Sequence, residues 1–310
     1  PSIELRNTLR EAFASVGLQE TISYPLITLD SLRHCGPLLD EQLPLQVANP
    51  MNSEQEYLRP SLRPSILQTL HYNQTHTDPE TPIRLFETGR VFIQDKPNLP
   101  REKDMIVGVI SGPFNPPSWI TNNHNTDFYD LKGLLHAGLQ KTGITETYEP
   151  HTETCFKESY CARILVNGLQ IGVIGEISET VKDGFDIRTP NTIMFELDLE
   201  AILESQRAST WAFKPLSRFP AAKRDLALMV PENVSSERVV QTLVGDKLVT
   251  DAYIFDVYSG ESLPPGIKSL GVHIYFQAPD RTLTNTDVDK ALKSLLRAIE
   301  KDMGAVLRTS

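Results

Sequence analysis

In SRFPAAKRDLALMV (Ser217–Val230), the cations Arg218, Lys223 and Arg224 stand just ahead of Leu226, Leu228 and Val230, which alternate strictly. Guanidinium and ammonium groups at the mouth of a strand suit contacts to phosphate. Further on, IFDVY sets Asp256 and Tyr258 two apart, so that period-2 alternation turns both to one face. A carboxylate there is repelled by phosphate but accepts hydrogen bonds from the N1 and N2 donors of guanine, while a phenol ring stacks on an unpaired base. The competing account is that Asp256 pairs with a neighbouring Lys or Arg and Tyr258 packs against the preceding domain. Lys268 and Arg281 add cations at further strand ends, and Asp225, Ala227 and Ser269 supply small or hydrogen-bonding groups. Taken singly, each of these cations also fits an ordinary solvated surface.

The surrounding segments read in a definite order. RDLALMV is strand-like, SSERVVQTLV helical with Ser235 as cap, and DAYIFDVY and KSLGVHIYF strand-like; TDVDKALKSLLRAIEKDM is a long helix whose Thr286 and Asp289 have capping-box spacing. Val288, Leu292, Leu295, Ile299 and Met303 form its apolar stripe, and AVLR makes a short last strand. The pattern βαββαβ is that of a ferredoxin-like domain, with two helices on one face of a four-stranded sheet and the other face open. Alternation assigns Leu226, Leu228, Val230, Phe255, Val257, Leu270, Val272, Ile274 and Phe276 to the helix side. Asp225, Ala227, Met229, Asp256, Tyr258, Ser269, Gly271, His273 and Tyr275 fall on the open side. Both an RNA-reading sheet and a solvated one have this mixed composition.

The whole chain has 310 residues and a formal net charge of -10, enough length for two domains. From Phe213 onward there are 13 Lys and Arg against 12 Asp and Glu, so the acidity lies in the larger part before it. The boundary is expected within Ser205–Pro215, giving domains 1–210 and 211–310. No apolar run approaches the roughly 18 residues of a membrane helix, and PSIELRNTLREAF lacks a signal peptide's apolar core, so a cytoplasmic protein without a membrane partner is expected. Cys35, Cys155 and Cys161 show no CxxC spacing and read as idle or buried thiols; His71 and His76, five apart, do not share a helical face, so no metal site is expected.

In the larger part, Leu5, Leu9, Phe13 and Val16 mark a helix closed by Gly17. ETISYPLI reads as a strand, LRPSILQTLHYNQ as a helix, RLFETGRVFI as a strand and turn, and DMIVGVISG as a buried strand. FYDLKGLLHAGLQ is an amphipathic helix, ARILVNGLQIGVIGEI a hairpin turning at Asn167-Gly168, and TIMFELDL a strand. Without a regular βα alternation, a mainly antiparallel sheet with flanking helices fits best, making the chain α+β. GVIGEI lies within a hairpin strand and lacks the strand-to-helix turn of a phosphate cradle. No GxSxG, GxxxxGK[ST] or HExxH occurs, and nothing isolates a catalytic pair among Glu54, Glu56 and Glu87.

SRFPAAKRDLALMVPE, FDVYSGESLPPGIKSLGVHIYF and DRTLTNTDVD resemble the ferredoxin-fold anticodon-binding domain of the bacterial phenylalanyl-tRNA synthetase beta subunit. ANPMNSEQEYLRPSLRPSIL, RLFETGRVF, DFYDLKGLL, IGVIGEI and FELDL resemble the same family in the same order, so the resemblance spans essentially the whole chain and implies the C-terminal portion of a longer subunit, without its N-terminal and editing modules. One departure is CFKESYCARI, where the family has a HPGRSA-like segment.

The resemblance implies a class II synthetase-like antiparallel sheet that is catalytic-like but inactive, with no catalytic residue. Arg84 to Glu87 echo the second class II motif, whereas the GxGxxR-type third motif is absent around TIMFELDL. It further implies no cofactor bound here, with ATP and Mg used by the whole enzyme. The implied partners are tRNA(Phe) and a catalytic alpha subunit in a heterotetramer of two alpha and two beta chains. NPMNSEQEYLRPSL, similar to the first motif, supplies the expected subunit interface through Asn49, Pro50, Glu54 and Arg59; an internal structural loop is the alternative. A stand-alone RNA-binding protein and a purely structural assembly subunit are the rival readings of the chain.

Overall fold

The computed structural model describes residues 2–36, 44–96, 99–120, 124–207, 217–260 and 262–308. The chain divides into two compact units, Pro1–Trp211 and Ala212–Ser310. The boundary expected at 210/211 lies outside the described residues.

In the first unit the elements run α1 (Ser2–Ser15), β1 (Gln19–Glu20), β2 (Leu26–Ile27), α2 (Leu29–His34), β3 (Tyr57–Leu58), α3 (Arg63–His76), β4 (Ile83–Lys96) and β5 (Leu99–Ser111). They continue as α4 (Phe128–Gln140), β6 (Thr147–Pro150), β7 (Phe156–Val166), β8 (Leu169–Ile177), α5 (Glu179–Gly184), β9 (Thr192–Asp198) and α6 (Leu199–Arg207). One seven-stranded sheet has the order β1-β4-β5-β9-β8-β7-β6; β1 runs parallel to β4, and every other pair is antiparallel. The central strands read as unbroken apolar runs because both of their faces are covered.

Alternation deals their side chains to two cores. Ile106, Ile110, Ile193 and Phe195 pack with Leu5, Leu9 and Phe13 of α1, Leu131, Leu135 and Leu139 of α4, and Ile202 of α6. Val107, Val109 and Met194 pack on the other side with Ile66, Leu67 and Leu70 of α3 and Val181 of α5. The β7–β8 hairpin turns at Asn167 and Gly168, both with positive φ (52° and 79°), which is why Asn-Gly suits this turn.

Two expected elements are corrected. RLFETGRVFI contains no turn: it belongs to the continuous strand β4, and Gly89 is small because Arg59 and Leu62 occupy the space its Cβ would take. ETISYPLI is not one strand but contributes to β1 and β2, which lie in different sheets. Between them Ser23 turns its hydroxyl to Glu87, and the Pro25 carbonyl accepts from the Arg59 amide at 3.0 Å. Tertiary partners thus claim the backbone and side-chain groups of the middle residues.

The second unit contains β10 (Ala222–Pro231), α7 (Ser236–Val244), β11 (Val249–Tyr258), β12 (Ile267–Phe276), α8 (Asn285–Met303) and β13 (Val306–Leu307). Its sheet has the antiparallel order β11-β12-β10-β13. Leu226, Leu228, Val230, Leu270, Val272, Ile274 and Phe276 meet Val239 and Leu243 of α7 and Val288, Leu295, Ile299 and Met303 of α8. Ser235 caps α7 by accepting from the Arg238 amide.

The capping box of α8 is Thr284 with Asp287, not Thr286 with Asp289. Both pairs have the required spacing, but only the earlier start puts Leu283 before the cap and Val288 five residues on, where both pack into the core as a hydrophobic staple. Thr284→Ala is expected to cost about 1 kcal/mol in urea unfolding. Hydrogen bonds from the backbone and hydroxyl of Thr284 hold the Asp287 carboxyl below its usual value. A depressed carboxyl stabilises the fold above its unfolded pKa of about 3.9 and loses that contribution as pH falls through the folded value. The cost of Thr284→Ala should therefore shrink under acid; an unchanged cost at pH 2 would count against the box.

Candidate nucleic-acid interface

The face of the second sheet away from its helices is built by register. Asp225 lies opposite His273, Ala227 opposite Gly271 and Met229 opposite Ser269, all on the open side by register although Ser269 is itself buried, while Leu226, Leu228 and Val230 are buried on the helix side. On the edge strand β11, Tyr253 is opposite His273, Asp256 opposite Gly271 and Tyr258 opposite Ser269, with a register shift between Ile254 and Asp256.

That bulge overturns the helix-side placement of Phe255, whereas Val257 stays on the helix side by register. Phe255 is 51% exposed and stacks on His273 with ring centroids 4.1 Å apart. Val257 keeps the side of its buried partner Leu270 but is 57% exposed on the edge strand. Strict alternation fails because a bulge lets two successive residues, Phe255 and Asp256, oppose one. Gly271 makes this workable: a Cβ there would lie 2.9 Å from the Phe255 ring and 3.0 Å from the Asp256 Cβ.

The polar groups form a short chain. His273 Nδ1 is 2.6 Å from the Asp225 carboxylate, and Lys223 Nζ is 3.3 Å from His273 Nε2 and 3.5 Å from Asp225. The contacts are all satisfied when Nδ1–H donates to Asp225 and Nε2 accepts from Lys223. The hydrogen bond with His273 is the main cause that holds the Asp225 carboxyl below its ordinary value. Tyr253 meets the His273 ring edge-on at 5.0 Å and stacks with Tyr275 at 6.1 Å, their hydroxyls 3.4 Å apart.

The expected site residues do not all lie together. Lys223, Asp225, Ala227, Asp256, Tyr258 and Ser269 share the open face by register. Arg224 and Lys268 have the opposite parity: Arg224 donates to Asn285 at the start of α8, and Lys268 donates to the Glu232 carbonyl, its ammonium pKa lowered by burial. Arg218 is exposed ahead of β10, and Arg281 pairs with Asp280 and Asp287 beside the α8 cap. Among the described residues, the exposed Asp256 carboxylate has no ion pair, and the Tyr258 hydroxyl accepts from Ser262 at 3.0 Å. Tyr253, Phe255 and Arg308 are additions; the Arg308 guanidinium lies 5.9 Å from the Tyr258 ring centre. The signal for Phe255 was Gly271, since an isolated glycine inside a strand pattern marks a bulge or a close approach.

In the first unit, Asn49, Pro50 and Glu54 are exposed, whereas Arg59 is 3% exposed and serves its own domain. It pairs with Glu87 at 2.8 Å, donates to Ser23 and Ser65, and reaches the Arg90 carbonyl. A surface role for Arg59 is thus replaced by the internal one, its backbone held by the Pro25 carbonyl and the Phe92 amide. The sheet face carrying Glu87 and Glu196 is filled from within: Glu196 accepts from Ser61, the Leu62 amide and Arg63 at the start of α3. Burial alone would lower the Arg63 guanidinium, but Glu196, Cys155 and Glu153 outweigh it and raise its pKa. The Arg63 guanidinium also covers the Phe156 ring of the divergent CFKESYCARI segment, and burial pushes the neighbouring Cys161 thiol up to about 12. Arg84, on the other side of β4, lies over Phe114 and donates to its carbonyl.

The first unit has the fold of a class II synthetase-like antiparallel sheet with flanking helices, and a ferredoxin-like unit follows it. The fold agrees with a solved pyrrolysyl-tRNA synthetase from Desulfitobacterium hafniense (TM-score 0.50, 18% identity, covering 67% of this chain and 69% of that one). Residues 1–199 match the phenylalanyl tRNA synthetase beta chain CLM domain and residues 217–308 the ferredoxin-fold anticodon binding domain, so the chain belongs to the phenylalanyl-tRNA synthetase beta chain family. It is 32% identical over 305 residues to the phenylalanine–tRNA ligase beta subunit of Dehalococcoides mccartyi strain CBDB1, and 33% over 306 residues to that of Vibrio cholerae. These alignments cover 98% and 97% of this chain but 37% of each relative, so the chain spans little more than a third of their length. Among the described residues no helix is long and apolar enough to cross a membrane.

Proposed function

We propose that this chain works as a non-catalytic portion of a phenylalanine–tRNA ligase beta subunit in the cytoplasm. Residues 217–308 receive the anticodon loop of tRNA(Phe) on their open face. The larger unit packs on a catalytic alpha subunit, with Asn49, Pro50 and Glu54 at the contact, in a heterotetramer of two alpha and two beta chains. ATP and Mg are used on that partner. The side of the sheet bearing Glu87 and Glu196 is occupied by α3 and by the Arg59–Glu87 and Arg63–Glu196 pairs, which supports a scaffold role.

The observation that carries the RNA reading is the Asp256 carboxylate, exposed beside Tyr258 and without a described Lys or Arg to neutralise it. An acceptor so placed is suited to the paired N1 and N2 donors of guanine, while Tyr258 adds a stacking surface. Lys223 is the basic-segment residue placed to contact a phosphate, since Arg224 lies on the helix side.

The test compares binding of tRNA(Phe) and of variants altered at the first anticodon base. Asp256→Ala should reduce discrimination at that base, whereas Tyr258→Ala should weaken binding to all anticodons by roughly 1–3 kcal/mol. Unchanged anticodon preference in a folded Asp256→Ala protein would remove the base-reading role. Binding of tRNA without any association with an alpha subunit would favour a stand-alone RNA-binding protein; the reverse would favour an assembly subunit.

A further inference from the structure

We infer that the open face holds a second stacking station, the Phe255 ring seated on His273. The domain then engages two unpaired bases of an RNA loop, one at Asp256 and Tyr258 and a neighbouring one on Phe255. This rests on the RNA-binding reading above. The bulge in β11 turns Phe255 and Asp256 to the same side, next to each other over Gly271. Tyr258 lies along the same strand, which rises about 3.3 Å per residue, so the two stations are separate rather than one shared surface.

The station is built from below. His273 is nearly parallel to Phe255, with 20° between ring planes, and its side chain is only 16% exposed. Asp225 and Lys223 hold its two nitrogens, and Tyr253 abuts its edge. Phe255, in contrast, is 51% exposed although it is a large apolar side chain. A ring already locked on one side loses little freedom when a base covers the other, so its contribution to binding is not spent on ordering it. Its position on the edge strand leaves the approach to it free of a neighbouring strand.

Two features favour an RNA base over an apolar protein side chain as the occupant. The surface is continuous with the acceptor at Asp256, and the cations of Lys223 and Arg308 share the face. Phenylalanine offers no hydrogen-bonding atom, so this station contributes affinity without regard to base identity, whereas Asp256 contributes discrimination.

The experiment uses the full chain and an RNA stem-loop with the sequence of the tRNA(Phe) anticodon arm, carrying the fluorescent base 2-aminopurine at each loop position in turn. Stacking on a ring quenches the fluorophore. Wild-type protein should quench at the position contacting Tyr258 and at a neighbouring one. Phe255→Ala should abolish quenching at the neighbouring position alone and weaken stem-loop binding roughly 5- to 150-fold. Phe255→Tyr should restore both, while Phe255→Leu, which keeps apolar bulk without a ring, should not. Because Phe255 lies outside the core, these variants should keep the circular dichroism of the parent. The inference is overturned if Phe255→Ala binds as tightly as wild type with the same quenching pattern while Tyr258→Ala loses affinity. If the wild-type chain does not bind the stem-loop at all, the RNA-binding reading itself falls and the second station with it.

Discussion

Arg59→Ala is expected to destabilise the first unit by about 3–5 kcal/mol, the range for removing one partner of a buried ion pair. Glu87 is 1% exposed, and in the variant its charge would retain only the Ser23 contacts. The Arg90 carbonyl and the Ser65 hydroxyl would lose a donor at the same time. Gly89, whose missing Cβ leaves room for the guanidinium, would then border a void. Urea titration followed by hydrogen exchange of the α3 and β4 peptides gives the loss directly. Arg59→Met combined with Glu87→Leu should recover much of it, since no unpaired charge then remains buried. A loss under about 1 kcal/mol in the single variant would mean that water reaches Glu87 and that the pair resembles a surface bridge.

Phe195→Ala should cost a similar 3–5 kcal/mol through the cavity it leaves. Phe195 is fully buried in β9, 5.3 Å from the Phe13 ring of α1, and its ring covers Gly108 of β5. Its removal therefore loosens the contact between the sheet and α1 as well as the strand itself. The measurement is again urea unfolding with exchange read on α1 and β5. Phe195→Leu should lose less because much of the volume stays filled; equal losses for Ala and Leu would point to the tilted contact between the Phe13 and Phe195 rings rather than the cavity.

These two residues also show where reading the chain worked and where it stopped. TIMFELDL was legible as a strand from its apolar run, and its burial on both faces follows from that same run. In LRPSL the sequence suggested a subunit contact for Arg59, but its partner Glu87 is 28 residues away in the chain and nothing local announces the pairing. The turn expected in RLFETGRVFI fails for the same reason: a glycine admits either a turn or a close neighbour, and the neighbour of Gly89 is a distant arginine. On the open face, alternation placed Asp225, Ala227, Asp256, Tyr258 and Ser269 together, yet Arg224 and Lys268 were grouped with them by charge although their parity already opposed it.

What the sequence determined by itself was what short-range periodicity and family motifs set: the longer strands and helices, the βαββαβ pattern of the second unit, and the Asn-Gly turn of the β7–β8 hairpin. Hydrophobic spacing fixes which side of an element is buried, because that requirement repeats every two or 3.6 residues along the chain. Only the tertiary structure decided the start of α8, the inward role of Arg59 and the outward turn of Phe255. Each depends on a partner brought close by folding: the core that accepts Leu283 and Val288, the Glu87 carboxylate, and the Gly271 backbone opposite a bulge. Such contacts depend on register and space between separate segments, and a period along one segment carries no record of either.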